Sequence, residues 1–225
     1  MSYSMLLFAQ ITQGVRDAGY VKIESGEKFI EQEEKKEIVQ ENNEKENLLI
    51  DLIRQSQDGD TRAMGLIYEK YKSPIYNLAY RYTYNSAVAE DLLQEIFLKV
   101  FTHIQDVDKK EFFEGWLYRV AVNTCLSFVR SRKAYEVKSV SLDSVESKIN
   151  NQKFSHSEKM IHKSIDDAIQ SLPIRLRSVF LLFDVQGFTH EEVAGILGCS
   201  VGTSKSQLFK ARTKIRKHLK DKKIL

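Results

Sequence analysis

The scarcity of backbone breakers constrains this chain most: its 225 residues include only two prolines, Pro74 and Pro173, and ten glycines. Proline and glycine interrupt helices and build the tight turns between strands, so their rarity favours long helices over a turn-rich β fold. Hydrophobic spacing agrees. Leu48–Lys133 and Ser164–Leu219 are dense in apolar and aromatic residues at the three-and-four spacing of a helix face. Between them, Ala134–Lys163 is polar and has linker composition. Met1–Asn47 has weak periodicity, and its charge-rich run Glu31–Glu46 reads as a solvated helix or as disorder. The expected fold is all-α, two small helical domains joined by a flexible linker. Residues 1–47 form a charged extension, 48–133 the first domain, 134–163 the linker and 164–225 the second domain.

The net charge of +3 is unevenly spread. Met1–Asp60 holds thirteen acidic against seven basic residues, −6, which leaves +9 on the remainder. From Ser200 to Leu225, nine Lys or Arg residues stand against the single acid Asp221. Such an end suits a polyanion partner, nucleic acid or acidic membrane, and equally suits a solvated helix face. Cys125 and Cys199 lie far apart without C-x-x-C spacing, and the five histidines form no ligand cluster with them. No metal and no cofactor are expected, and the thiols read as structural ones in a reducing cytoplasm. The apolar run Met5–Ala9 lacks a basic flank and is too short for a signal peptide, and no stretch approaches the ~18 apolar residues of a membrane helix. The expectation is a soluble cytoplasmic protein without membrane insertion.

The clearest local signal is T-H-E-E-V-A-G-I-L-G-C-S-V-G-T-S-K-S-Q-L-F-K-A-R-T-K-I-R-K-H-L, from Thr189 to Leu219. Thr189 and Glu192 have capping-box spacing. Val193, Ile196 and Leu197 give one apolar stripe, and Gly198 can end the helix in the left-handed conformation. Ser200 is placed to cap a second helix, whose Leu208, Ala211, Ile215 and Leu219 face a core. Lys205, Phe209, Arg212 and Arg216 fall opposite, with Ser206 and Lys210 beside them. A short helix, a tight turn and a longer basic helix make a helix-turn-helix, whose second helix enters the major groove. A helical hairpin with a basic solvent face has the same pattern.

The first block carries A-E-D-L-L-Q-E-I-F-L-K-V-F, from Ala89 to Phe101. Leu93, Ile96, Phe97 and Val100 form its core stripe, while Asp91, Gln94, Glu95 and Leu98 share another face. That second face suits docking of a basic partner, or simple solvation. Next comes F-F-E-G-W-L-Y-R-V-A-V-N-T-C-L-S-F-V-R-S-R-K, from Phe112 to Lys133. Its aromatics Phe112, Phe113, Trp116 and Tyr118 lie among Lys109, Lys110, Arg119, Arg130, Arg132 and Lys133. Aromatics with cations take up unstacked bases and hold a single-stranded backbone. Trp116, Val120 and Asn123 also make a helical stripe that can pack internally.

These residues resemble the extracytoplasmic-function (ECF) RNA polymerase sigma factors. Leu172-Pro173, Val179–Leu182, Glu192-Val193-Ala194, Gly202-Thr203-Ser204-Lys205-Ser206 and Ala211-Arg212 are similar to region 4, which recognises the −35 element. Asp91, Gln94, Glu95 and Phe97 resemble region 2.2, and Trp116, Leu117, Ala121 and Asn123 the signature of regions 2.3 and 2.4. The resemblance implies core polymerase binding by Asp91, Gln94, Glu95, Phe97 and Leu98, through the β′ clamp helices, with the β subunit as a further partner. It implies −10 binding and melting by Lys109, Lys110, Phe112, Phe113, Trp116, Arg119, Asn123 and Arg130, with a base pocket at Val107–Phe113. It implies −35 binding by Thr203, Lys205, Ser206, Gln207, Phe209, Lys210 and Arg212. Promoter DNA and an anti-sigma factor are then further partners. Ser204 departs from the family's usual Val, Gln207 and Lys210 from Arg, Val122 from Arg and Ser127 from Asp. Residues 1–47 lie outside the resemblance.

Two other classes compete. A dimeric helix-turn-helix regulator explains the C-terminal block and leaves the acidic helix and the Trp–Asn helix unexplained; no dimerisation element is evident. An enzyme lacks support, because no paired carboxylates sit in a catalytic frame and no glycine loop suits phosphate. No catalytic residue is therefore expected.

Overall fold

A computed structural model describes residues 47–107, 112–138, 156–222 and 224. Every regular element among them is helical. Helix α1 covers residues 47–57, α2 Thr61–Thr83 and α3 Ser86–Thr102, followed by a 3₁₀ turn at Ile104–Asp106. Helix α4 is Phe113–Lys138, α5 His156–Gln170 and α6 Ile174–Phe180, which widens into a π turn at Leu181–Val185. Helices α7, His190–Leu197, and α8, Val201–Asp221, complete the chain.

Local chemistry sets the boundaries. The Asp60 side chain accepts from the Arg62 N–H to start α2, and Asn85 from the Val88 N–H to start α3. Each satisfies a donor that the first helical turn leaves without an intrahelical partner. Pro74 lies inside α2 without ending it, although it removes one donor from the ladder. Tyr84 closes α2 at φ 52°, the left-handed region that costs a side-chain-bearing residue energy. Its ring repays this cost through the second block: the hydroxyl donates to the Asp166 carbonyl at 3.3 Å, and the Arg177 guanidinium stands 5.5 Å from the ring centre.

The first block packs α2, α3 and α4 around Ile67, Ile75, Leu78, Leu92, Ile96, Phe113 and Leu117. The Tyr71 hydroxyl donates to Glu114 at 2.7 Å, fastening the start of α4 to α2, and burial with that carboxylate pushes the phenol well above its usual range. The second block buries Ile165 and Ile169 of α5, Val179–Leu182, Phe188, Val193 and Ile196 of α7, and Leu208, Ala211, Ile215 and Leu219 of α8.

The expected linker is partly helical, since α4 runs on to Lys138 and α5 begins at His156. The rest of it, 139–155, lies outside the described residues, as do residues 1–46. The two blocks do not stand apart: their apolar residues join in one continuous core. The Tyr82 hydroxyl, fully buried, donates to Ser178 Oγ at 2.6 Å, and Ser178 donates onward to the Ile174 carbonyl at 2.9 Å. Tyr118 donates to Gln186 Oε1 at 2.6 Å, and its ring meets Phe188 edge-on at 4.8 Å. Arg177 donates to the Arg81 carbonyl at 3.3 Å. Loss of one buried hydroxyl from such a chain costs about 1 kcal/mol. Tyr82→Phe should therefore lower the unfolding free energy by about that much, measured by urea denaturation, whereas Tyr76→Phe, away from the seam, should leave it near the wild-type value.

Candidate polymerase and promoter surfaces

On α3, apolar spacing sends Leu92, Leu93, Ile96, Phe97 and Val100 inward and leaves Asp91, Gln94, Glu95 and Leu98 exposed together. Leu98 is 69% exposed, an apolar residue set among carboxylates and an amide. Phe97, expected among the polymerase-binding residues, is 3% exposed and packs edge-on against Tyr68 at 4.8 Å. It shapes the helix from within. Lys99 donates to Glu95 at 2.6 Å and to Thr124 Oγ1 at 3.2 Å, so the acidic face is fixed to α4.

On α4 two adjacent aromatics part company. Phe112, before the helix, is 67% exposed, whereas Phe113, the first helical residue, is fully buried against Tyr71 and Trp116. Phe113 therefore packs in the core, while Phe112 stays outside it. Trp116 is half-buried and Asn123 exposed. With Lys99, His103 and Asp106 they line an open cleft of about 380 Å³. Lys99 and His103 escaped the sequence reading because they come from the end of α3, some twenty residues before Asn123. Arg119 donates to the Gly195 carbonyl of α7, so in this arrangement it is bound to the second block. Arg130 is exposed. Lys109, Lys110 and the centre of the Val107–Phe113 pocket lie outside the described residues.

The second block forms the helix-turn-helix. Thr189 and Glu192 complete the capping box, Gly198 takes φ 63°, and Ser200 Oγ accepts from the Thr203 N–H. The buried stripe of α8 also includes Ser204, fully enclosed, whose hydroxyl lies 2.8 Å from His190 Nδ1. The His190 ring stacks on Phe183 at 4.2 Å; partial burial, then the nearby Lys205 charge, hold its pKa below the ordinary histidine value. This explains how a polar Ser is accommodated at an interior position: the histidine supplies the partner a buried hydroxyl needs. Lys205, Ser206, Phe209 and Lys210 are exposed, Phe209 at 71%, while Thr203 and Gln207 are half-buried.

Arg212 has a partner within the chain. Its Nε donates to Asp184 Oδ2 at 3.0 Å and its Nη2 to Oδ1, a two-pronged pair with a carboxylate only 2% exposed. The guanidinium is raised in pKa chiefly by that hydrogen bond. Arg212 ties α8 to the π turn, and no sequence pattern announces a partner 28 positions away. Among the described residues no cluster of three or more metal-ligating side chains occurs, and no helix is long and apolar enough to cross a membrane.

A helix-turn-helix with an outward basic helix, joined to a helical block bearing an acidic face and an aromatic–amide cleft, defines a DNA-binding protein built to meet a second macromolecule. The Sigma-70 region 2 family model matches residues 67–135, and the Sigma-70 region 4 model matches residues 162–215. The ECF RNA polymerase sigma-E factor of Escherichia coli is 30% identical over 173 residues, covering 73% of this chain and 90% of that one. The ECF RNA polymerase sigma factor SigE of Mycolicibacterium smegmatis is 31% identical over 166 residues, 72% of this chain and 64% of that one. The fold also matches the sigma factor RpoE of Bartonella quintana, solved in complex with the anti-sigma factor NepR, with TM-score 0.61 and 23% identity over 69% of this chain and 96% of that one. The chain belongs to the ECF family of RNA polymerase sigma factors. It is accordingly a promoter-directed transcription initiation factor and not an enzyme, and the dimeric regulator is not favoured.

Removing Arg212 strands a buried carboxylate, which is costlier than losing both partners. Arg212→Ala should cost about 2 kcal/mol of stability, and Arg212→Ala with Asp184→Asn distinctly less. Chemical denaturation of both variants tests this.

Proposed function

We propose that residues 48–133 act as sigma region 2 and 164–225 as region 4, connected through 134–163. Asp91, Gln94, Glu95 and Leu98 dock onto the β′ clamp helices of core polymerase, with Phe97 supporting them from within. The observation that carries this reading is the outward face of α3, where two carboxylates and an amide surround a 69% exposed leucine. Charge complementarity draws in a basic partner, and the leucine adds apolar contact at the centre.

Phe112, Trp116 and Asn123 take the −10 element, with Lys109, Lys110, Arg119 and Arg130 holding its backbone. The cleft beside Trp116 suits this work because an aromatic ring and an amide meet there. Helix α8 enters the −35 major groove and presents Lys205, Ser206, Phe209 and Lys210, with Thr203 and Gln207 at its margin and Arg212 holding the helix in place. Promoter binding then requires the blocks to part, because Arg119 is bound to α7 and a cleft of about 500 Å³ between them admits no duplex. The protein works in the cytoplasm, beside polymerase, and an anti-sigma factor is a further partner, as for the Bartonella protein.

Run-off transcription with bacterial core polymerase and fragments of the source genome tests the reading. Transcripts should depend on the wild-type chain and disappear with Asp91→Ala/Glu95→Ala. Specific DNA binding without any transcript would count against it. Lys205→Ala should weaken binding to all promoters alike and reduce the slope of log affinity against log salt by about 0.9, the contribution of one phosphate contact. Promoter-selective loss would instead assign Lys205 to base reading.

A further inference from the structure

The groove between the blocks has a composition that the proposed function leaves unused. Leu126 and Val129 of α4 face Ile174 of α6 and Leu197 of α7 across a cleft of about 500 Å³, and all four are only half-buried. Arg130 and Arg175, both exposed, stand on its two sides, and no carboxylate among the described residues lines it. Neither arginine has a hydrogen bond or ion pair among the described residues. Four apolar side chains set among polar ones, with two uncompensated cations, suit an acidic segment with apolar anchors. The volume is that of a small-ligand cleft, roughly 300–1,000 Å³, and takes a few side chains rather than a duplex or a domain.

The chain carries such a segment. Phe29-Ile30 and Ile38-Val39 flank Glu31, Glu33, Glu34 and Glu37, within the part of the sequence that holds the excess of acid. We propose that Phe29–Val39 docks in this groove, its apolar pairs between Leu126, Val129, Ile174 and Leu197 and its glutamates against Arg130 and Arg175. The stretch from Val39 to Asn47 spans about 27 Å when extended, against a radius of gyration near 15 Å for a compact body the size of the described residues. Tethering places the segment at an effective concentration of order millimolar, so even weak docking is populated. The occupied groove covers Arg130, Thr203 and Gln207, which come from both DNA-binding surfaces. Docking thus holds the blocks together and withholds the chain from DNA until the segment leaves.

Cys199 supplies a native probe, because it lines the same groove and is half-buried. Cys125 is buried and its thiol is pushed up to about 12, chiefly by that burial, so it stays silent. The experiment is the rate of Cys199 modification by a small neutral disulfide reagent in the full-length protein, without polymerase or DNA. Glu31→Gln/Glu33→Gln/Glu34→Gln/Glu37→Gln should raise the rate severalfold, and Arg175→Glu, a change at an exposed position, should raise it equally. Adding Glu33→Lys/Glu34→Lys to Arg175→Glu should restore protection. Equal rates in the wild-type and Glu→Gln proteins overturn the proposal. A fast wild-type rate slowed only by added poly-glutamate also overturns it, assigning the groove to a separate acidic partner. Transcription is read independently, so unprotected Cys199 in an active sigma factor defeats this inference alone.

Discussion

The rest of the structure depends on the burial of α4 from two directions. One side rests on α2 and α3 through Phe113, Leu117, Ala121 and Cys125, and the other meets α7 of the second block. The helix therefore belongs to both blocks, and the cores merge along it. The seam mixes apolar contact with hydroxyl hydrogen bonds, Tyr82 to Ser178 and Tyr118 to Gln186. Each such bond exchanges for bonds to water on opening, so its net worth is only about 1 kcal/mol. A seam of this kind holds a compact state yet remains within reach of a binding partner, as interfaces between domains commonly do.

That balance orders the proposed events. The acidic face of α3 is exposed while the blocks are closed. Several residues proposed to meet DNA are engaged at the seam instead: Arg119 is held by the Gly195 carbonyl, and Arg130, Thr203 and Gln207 line one groove between the blocks. In the proposed function, polymerase engages α3 without prior rearrangement, whereas promoter DNA requires the blocks to part. Opening is then driven by any ligand that binds the separated blocks better than the joined ones, and polymerase with promoter is such a ligand.

Much of this was legible because it is local. The spacing of Leu208, Ala211, Ile215 and Leu219 sets the buried face of α8, and Thr189, Gly198 and Ser200 cap as their chemistry requires. The face of Asp91, Gln94, Glu95 and Leu98 follows from the same period. What escaped is what periodicity does not carry. A stripe says that a residue is buried, not against what, so the merging of the two cores was invisible. Phe112 and Phe113 are chemically alike, and only the point where α4 begins sends one outward and the other into the core. Asp184 gains its meaning from the π turn, which aims it at an arginine far along the chain.

The Asp184–Arg212 pair changes what the recognition helix can say to DNA. Arginine grips guanine with two parallel donors, but the fork of Arg212 is already closed on a buried carboxylate. Lys205 and Lys210 remain on the exposed face, point charges suited to phosphates and without a fork of their own. Phe209, at 71% exposure, offers the large apolar contact that a thymine methyl provides for. If α8 meets the −35 element as proposed, a helix so equipped draws much of its affinity from the backbone, and its discrimination from shape and methyl contacts more than from guanine edges. Loss of salt-sensitive affinity and loss of sequence preference should then separate onto different residues, the lysines for the first and Phe209 for the second.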